Sequence, residues 1–135
     1  MLRLITAIKP YSKLLFIAWM AIILTVSSIP SLPTLKIETE KTTIRLDYLI
    51  HFCEYGVLAF LACLAYTNNQ LRISFKRIVI LASGLIIFAA ADEFHQKFIP
   101  GRAFNLKDIY SNIAGIIAAL IFCWVVFRIL LRNRG

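Results

Sequence analysis

Three stretches of the chain place acidic, histidine and amide side chains within apolar surroundings, and these residue types can bind polar ligands or transfer protons. The first carries Asp47, His51 and Glu54, whose i, i+4, i+7 spacing puts them on one side of a helix. The second is DEFHQKFIPGR at 92–102, and the third begins with DIYSN at 108–112. Together they supply the candidate site residues Asp47, His51, Glu54, Asp92, Glu93, His95, Gln96, Arg102, Asp108 and Asn112.

The second stretch predicts a polar stripe at the end of an apolar helix. At 100° per residue, Asp92, His95 and Gln96 share one face, and Glu93 lies about 100° away from Asp92. The third stretch repeats the i, i+4 spacing of the first. We therefore expect three helices that each carry one polar stripe.

The rest of the chain consists mainly of the apolar segments that position these stripes. Of its 135 residues 60% are hydrophobic, and the mean hydropathy is +0.79. This is more apolar surface than one soluble core of that length needs. The apolar residues form four segments, at 14–29, 48–66, 78–91 and 109–127.

A helix needs about 20 residues to cross the hydrocarbon region. The third segment covers only 14 residues, so a full crossing must include the polar residues up to Phe98. The sequence thus predicts an all-α fold, a four-transmembrane-helix bundle that forms one domain over residues 1–135. The expected spans are about 12–29, 48–66, 78–98 and 108–129.

The charge distribution predicts the orientation of this bundle. Nine of the 15 basic residues lie before the first span, between the second and third, or after the fourth. The opposite end holds the other six and all seven acids. The positive-inside rule then puts both termini in the cytoplasm and the polar stripes near the outer face. The net charge of +8 is therefore better explained by a lipid bilayer as partner than by nucleic acid.

Other segments of the sequence carry weaker signals. A cleaved signal peptide is disfavoured because the residues around Pro30 make a poor small-x-small cleavage site. The loop at 30–46 is long enough to fold back over the outer mouth. The cysteines, Cys53, Cys63 and Cys123, form no Cys-x-x-Cys pair, so we expect no disulfide framework, no cysteine metal site and no cofactor.

Small residues on the fourth span indicate a close helix contact. Gly115 and Ala119 form one pair with i, i+4 spacing, and Ala114 and Ala118 form a second pair on the adjacent face. Such pairs allow a neighbouring helix to approach closely. Chance abundance of alanine in a membrane span explains the pattern equally well.

Depth along the helices predicts that the stripes meet. Counted from the expected outer boundary at 1.5 Å per residue, Glu54 lies roughly 10 Å in, Asp92 roughly 9 Å and Asn112 roughly 6 Å. A charged side chain facing lipid at the bilayer centre costs a few kcal/mol, so the stripes should turn inward and form a pocket that opens outward.

Two carboxylates at one depth in such a pocket, Glu54 and Asp92, would repel each other if both were ionised and unpaired, so their charge must be compensated. Either one of them stays protonated, or a cation lies between them. The cation could be Arg102, a protonated histidine or a metal ion. Arg102 is the first choice, because its planar guanidinium can hold a carboxylate or a phosphate in bidentate fashion.

The ordered set of motifs resembles the VanZ-like family. It comprises WMAIILTVSS at 19–28 with a proline soon after, DYLIHFCEYG at 47–56, DEFHQKFIPGR at 92–102 and DIYSNIAG at 108–115. The resemblance implies a small integral protein of the bacterial cytoplasmic (inner) membrane, and the family's namesake is associated with resistance to the glycopeptide teicoplanin. It also implies that the family's polar signature falls on the ten candidate residues and Pro100. Tyr48 departs from the pattern, because members often carry lysine after the aspartate.

Three functions fit these observations. The first is a binding or accessory protein whose pocket recognises an outer-leaflet lipid headgroup, a cell-envelope precursor or a glycopeptide, giving teicoplanin-type resistance. The second is a membrane-embedded enzyme, dependent on a metal or on acid and base groups, with His51, Glu54, Asp92 and His95 as catalytic candidates. In the third, the polar groups only hold the helices together. The oligomeric state is not determined by the sequence.

Overall fold

The computed structural model describes residues 2–31, 36–39, 42–68 and 71–132, and side chains within these ranges except at 2, 36–39, 42–45, 131 and 132. The elements follow the chain in a simple order. They are α1 (Leu2–Ile8), a 3₁₀ turn (Lys9–Tyr11), α2 (Ser12–Ser27), β1 (Lys36–Thr39), β2 (Thr42–Arg45), α3 (Asp47–Tyr66), α4 (Phe75–Gln96) and α5 (Leu106–Arg132).

Four helical stretches within the described residues are long and apolar enough to cross a membrane, which confirms the predicted fold class. They are Arg3–Ser27, Asp47–Tyr66, Phe75–Gln96 and Leu106–Leu130. The first combines α1, the 3₁₀ turn and α2. Large apolar side chains such as Ile17, Ile87 and Ile121 point away from the bundle and are more than half exposed, as helices that face lipid require.

The third spanning helix is shifted toward the N-terminus relative to the sequence prediction of 78–98. It begins at Phe75, where the Ser74 hydroxyl accepts a hydrogen bond from the backbone N–H of Arg77 at 3.3 Å. It ends at Gln96, and the following residues form a turn that leads into Pro100. The serine cap recruits the first basic residues into the helix, so that 22 residues span the bundle.

The loop after α2 contains a hairpin that the sequence did not predict. Strands β1 and β2 pair antiparallel, with Lys36 opposite Arg45 and Thr39 opposite Thr42. Residues 32–35 and 40–41, and the side chains of the strands, lie outside the described part of the chain. The expected folding of this loop over the bundle mouth therefore stays a prediction.

Helices α3 and α5 approach most closely at two glycines. A Cβ atom placed on Gly115 would lie 2.1 Å from the carbonyl oxygen of Phe52, whereas a Cβ on Gly56 would lie 3.6 Å from the carbonyl oxygen of Gly115. Gly115 is therefore the small residue on which the contact depends, while Ala114 and Ala118 of the second predicted pair are exposed. The apolar core below this contact includes Leu58, Ala59, Ala62 and Cys63 of α3, Leu85 and Ala89 of α4, and Ile116, Leu120, Cys123 and Phe127 of α5.

Candidate functional site

Asp92 lies at the centre of the polar groups, where α2, α3 and α4 meet. It is only 3% exposed, and its two carboxylate oxygens accept different hydrogen bonds. The Ser27 hydroxyl donates to Oδ1, and the Tyr55 hydroxyl donates to Oδ2 at 2.9 Å. A buried carboxylate with hydrogen bonds to both oxygens is well satisfied, so Asp92 fixes the relative positions of three helices.

Glu93 connects α4 to the start of α5. Its side chain is fully buried, and Oε1 accepts the backbone N–H of Asn105 at 2.7 Å. The Asn105 side chain in turn donates to Oδ1 of Asp108 at 3.0 Å and accepts the N–H of Lys107 at 3.1 Å. Asn105 thus caps α5 while Glu93 holds the cap in place.

Arg102 folds back over the bundle as expected, but its hydrogen bonds go to different partners. It donates to the carbonyl oxygen of Val26 at 2.9 Å and of Ile29 at 3.3 Å, and more weakly to Oε1 of Gln96 at 3.5 Å. Within the described residues no ion pair joins it directly to a carboxylate, so the expected bidentate contact is absent there.

The turn before Arg102 explains how the side chain reaches α2. Gly101 has a φ of +77°, which favours glycine, and a Cβ there would lie 2.4 Å from the Ser31 hydroxyl. The backbone N–H of Ser31 donates to the carbonyl oxygen of Pro100 at 3.0 Å. This contact holds the α4–α5 turn against the end of α2.

His51 and Asp108 link α3 to α5. His51 Nε2 lies 3.8 Å from Asp108 Oδ2, and both side chains are largely buried. Asn112 follows one turn later on α5 and is fully buried. Neither amide atom of Asn112 has a hydrogen-bond partner among the described residues, and the same is true of His51 Nδ1 and Glu93 Oε2.

These groups form what we call the polar cluster. Its members are Ser27, His51, Glu54, Tyr55, Asp92, Glu93, Gln96, Arg102, Asn105, Asp108 and Asn112. Glu54 belongs to it because it is partly buried and lies on α3 directly before Tyr55 and three residues after His51. Asp47 is partly buried at the first residue of α3, one turn before His51.

His95 is the candidate residue that does not turn inward, so its predicted position beside Asp92 and Gln96 was wrong. The buried face of α4 is set by Leu85, Ala89, Asp92, Glu93 and Gln96, whereas His95 is exposed. Because each residue rotates the helix by 100°, the His95 side chain lies about 100° around the helix axis from the middle of that face. Glu93, which was expected to lie to the side, is fully buried instead.

Three members of the polar cluster were not predicted from the sequence. Ser27 and Tyr55 bind Asp92, and Asn105 binds Glu93 and Asp108. Asn105 could have been found as a helix cap directly before an apolar segment. Ser27 and Tyr55 resemble ordinary residues at the edge of a span, and only the packing of α2 on α3 and α4 gives them their partners.

The arrangement offers no ready metal site. Among the residues that the structure describes, no three or more His, Cys, Asp and Glu side chains are grouped so that they could hold a metal ion. The alternative of a metal-dependent enzyme therefore gains no support from the geometry.

The described part of the chain has four helices long and apolar enough to span a membrane, and they surround a buried cluster of acids, amides and a histidine. This combination defines a multi-pass helical membrane protein with a buried polar site. Comparison with family models narrows this class. The chain belongs to the VanZ/LLP1 family, whose model matches residues 12–128, so the resemblance seen in the motifs is confirmed. No curated protein and no solved structure matches the chain.

Proposed function

We propose that the polar cluster binds the sugar or peptide part of a cell-envelope precursor or glycopeptide at the outer face of the bacterial cytoplasmic membrane. The observation that carries this proposal is the set of buried polar atoms without a protein partner in the described chain, namely Glu93 Oε2, both amide atoms of Asn112 and His51 Nδ1. Unpaired buried polar groups each cost about 1–3 kcal/mol, and a purely structural cluster has no reason to retain four of them.

The chemistry of these atoms favours hydroxyl and amide groups over phosphate. A carboxylate oxygen accepts hydrogen bonds, and an amide both donates and accepts. The cluster also contains four acids, Glu54, Asp92, Glu93 and Asp108, which disfavour a bound phosphate. Arg102, the natural phosphate ligand, already donates to the backbone carbonyl oxygens of Val26 in α2 and of Ile29 just after it. A lipid headgroup recognised through its phosphate is therefore the least supported of the three ligand classes considered.

Two further observations support the location and the phenotype. The nine basic residues at the opposite end of the bundle favour a cytoplasmic location for that end and for both termini. Membership in the VanZ/LLP1 family supports the proposal that ligand binding gives teicoplanin-type resistance. In this proposal resistance depends on the polar cluster.

The substitution Asn112→Leu tests the proposal, because it removes both unpaired amide atoms with little change in side-chain size. We expect binding of teicoplanin or of a lipid-linked envelope precursor to the purified protein in nanodiscs to weaken at least tenfold. Glycopeptide susceptibility of a sensitive host that expresses the variant should rise accordingly. The matched control is Tyr110→Phe on the exposed side of the same helix, which should change neither. Unchanged binding and susceptibility in Asn112→Leu would exclude the polar cluster as the site.

One observation favours the enzyme alternative in its acid–base form. Asp108 lies 3.8 Å from His51 Nε2, while Nδ1 has no partner in the described chain, so Asp108 can orient the imidazole and leave Nδ1 available to take up a proton. In that case the protein should convert a lipid-linked envelope substrate to a product that mass spectrometry detects, and His51→Gln should abolish conversion. A protein that binds the substrate but yields no product over hours excludes this alternative and leaves the binding function.

A further inference from the structure

The end of the bundle opposite the polar cluster contains a cavity of about 360 Å³. It is lined by Leu71, Arg72, Ile73, Trp124, Phe127 and Arg128. These residues come from the connection between α3 and α4 and from the last turns of α5. The cavity thus combines an apolar floor with two arginines.

Among the residues that the structure describes, neither arginine has an acidic partner. Within the described chain no ion pair involves Arg72 or Arg128, and residues 55–91 and 109–135 contain no Asp or Glu at all. Two other cations at this end are already engaged, since Lys9 donates to the carbonyl oxygens of Leu64 and Thr67, and Arg77 donates to that of Tyr66. Two like charges beside one cavity repel each other unless an anion joins them.

The local structure positions the guanidinium group of Arg128 and the backbone of Arg72. Arg128 lies over the Trp124 ring at 4.1 Å from its centroid, which orients the planar group and leaves its N–H edges available. Leu71 has a φ of +58° although it is not glycine, and its side chain is buried at 4% exposure. The neighbouring Arg72 backbone is fixed by hydrogen bonds to the side chain and backbone of Asn68.

The depth of the cavity matches a lipid headgroup. Arg72 precedes the third spanning helix by three residues, and Arg128 lies two residues before the end of the fourth span at Leu130. Both guanidinium groups therefore lie near the boundary between hydrocarbon and headgroups, with apolar side chains on the membrane side. Basic pockets between spanning helices at this level bind the headgroups of anionic lipids.

We infer that this cavity binds one anionic glycerophospholipid, with the phosphate on Arg72 and Arg128 and an acyl chain against Ile73, Trp124 and Phe127. The inference is independent of the function proposed for the polar cluster, because the two sites lie at opposite ends of the bundle. A free phosphate ion would satisfy the arginines but would leave the apolar wall without a partner, so a lipid is the better occupant.

Fluorescence of Trp124 tests the inference. In the variant Trp19→Phe it is the remaining tryptophan of the chain. In nanodiscs, brominated phosphatidylglycerol should quench it more strongly than brominated phosphatidylcholine at equal mole fraction. Adding Arg72→Gln and Arg128→Gln should weaken this preference about 30-fold, or about fivefold for each arginine. The matched control is the pair Lys13→Gln and Lys76→Gln, which removes the same charge from the same end of the bundle but outside the cavity. This pair should weaken the preference for phosphatidylglycerol by less than threefold.

Several results of this experiment would contradict the inference of a bound lipid. Equal quenching by both lipids, or equal losses in the arginine and lysine pairs, would overturn the inference, because the attraction would then be diffuse surface charge. Displacement by millimolar inorganic phosphate would overturn the assignment to a lipid. Native mass spectrometry of the unaltered chain provides a second measurement if Trp19→Phe does not fold, and it should show one retained phosphatidylglycerol per chain that the arginine variant loses.

Discussion

Replacing Gly115 by alanine should force α3 and α5 apart. The added Cβ would lie 2.1 Å from the Phe52 carbonyl oxygen, about 1.3 Å short of the 3.4 Å at which ordinary contact begins. The obstacle is backbone in the middle of a helix, which cannot rotate away as a side chain can. Overpacking of this kind costs typically about 1–3 kcal/mol, and the higher helix propensity of alanine offsets at most about 1 kcal/mol of it.

The chain supplies two matched controls for this prediction. Gly56→Ala adds the same methyl group to the facing helix, but its nearest contact would be 3.6 Å, so stability should change by less than about 1 kcal/mol. Gly84→Ala adds the group to an exposed face of α4 with no atom within 4 Å and should have little effect or be slightly stabilising. All three substitutions make an identical chemical change.

Unfolding of the purified proteins in mixed detergent micelles, followed by tryptophan fluorescence, measures the differences. We expect Gly115→Ala to be less stable than Gly56→Ala by about 1–3 kcal/mol. Ligand binding should weaken as well, because Asn112 lies one turn from Gly115 on α5 and moves with it. If Gly115→Ala is as stable as Gly56→Ala, the close approach of the two helices is not as described and the reasoning fails.

Three other substitutions test the polar cluster and the helix ends. Tyr55→Phe removes the hydroxyl that donates to Asp92, so the free energy of unfolding should fall by about 1–3 kcal/mol, whereas Tyr110→Phe on an exposed face should leave it unchanged in the same assay. Arg102→Gln should lower the midpoint temperature of thermal unfolding, because it removes the donors to the carbonyl oxygens of Val26 and Ile29. Lys97→Gln, which removes a neighbouring exposed charge, should leave that temperature unchanged. Equal midpoint temperatures in the two variants would refute the contact of Arg102 with the end of α2. Ser74→Ala should cost about 1 kcal/mol through loss of the α4 cap, and faster amide hydrogen exchange confined to the first turn of α4 would locate the effect.

Much of the fold could be predicted because lipid imposes simple demands on a chain. Four apolar segments of spanning length can satisfy their backbone groups only as helices, so the number and approximate positions of the spans follow from composition. The boundaries of α4 were less predictable, because the Ser74 cap and the turn before Pro100 decide them rather than hydropathy. The hairpin at Lys36–Arg45 was not predicted, because its strands lie in a loop without a strong alternating pattern.

The site was predictable in its residue types and less so in its contacts. Helical spacing correctly suggested that Asp92, Gln96 and Asn112 turn inward, since a charge or amide facing lipid is costly. Spacing alone cannot fix the centre of the buried face, and an error of about 50° in that centre exchanged the positions of His95 and Glu93. The backbone partners of Arg102 could not be predicted either, because they are carbonyl oxygens at the end of α2, more than 70 residues away in sequence.

The contact between the end of α2 and the turn at Pro100–Arg102 has a consequence for biogenesis. The carbonyl oxygens of Val26 and Ile29 leave the ribosome long before Arg102 is made, and until then the Val26 oxygen accepts only backbone N–H groups of its own helix end, such as that of Ile29 at 3.2 Å. We therefore expect the first span to enter the bilayer with a C-terminal end that gains its side-chain donor only from the second helical hairpin. Chains truncated after α3 should expose this end to membrane proteases, so that quality control can distinguish a half-synthesised protein from a finished one.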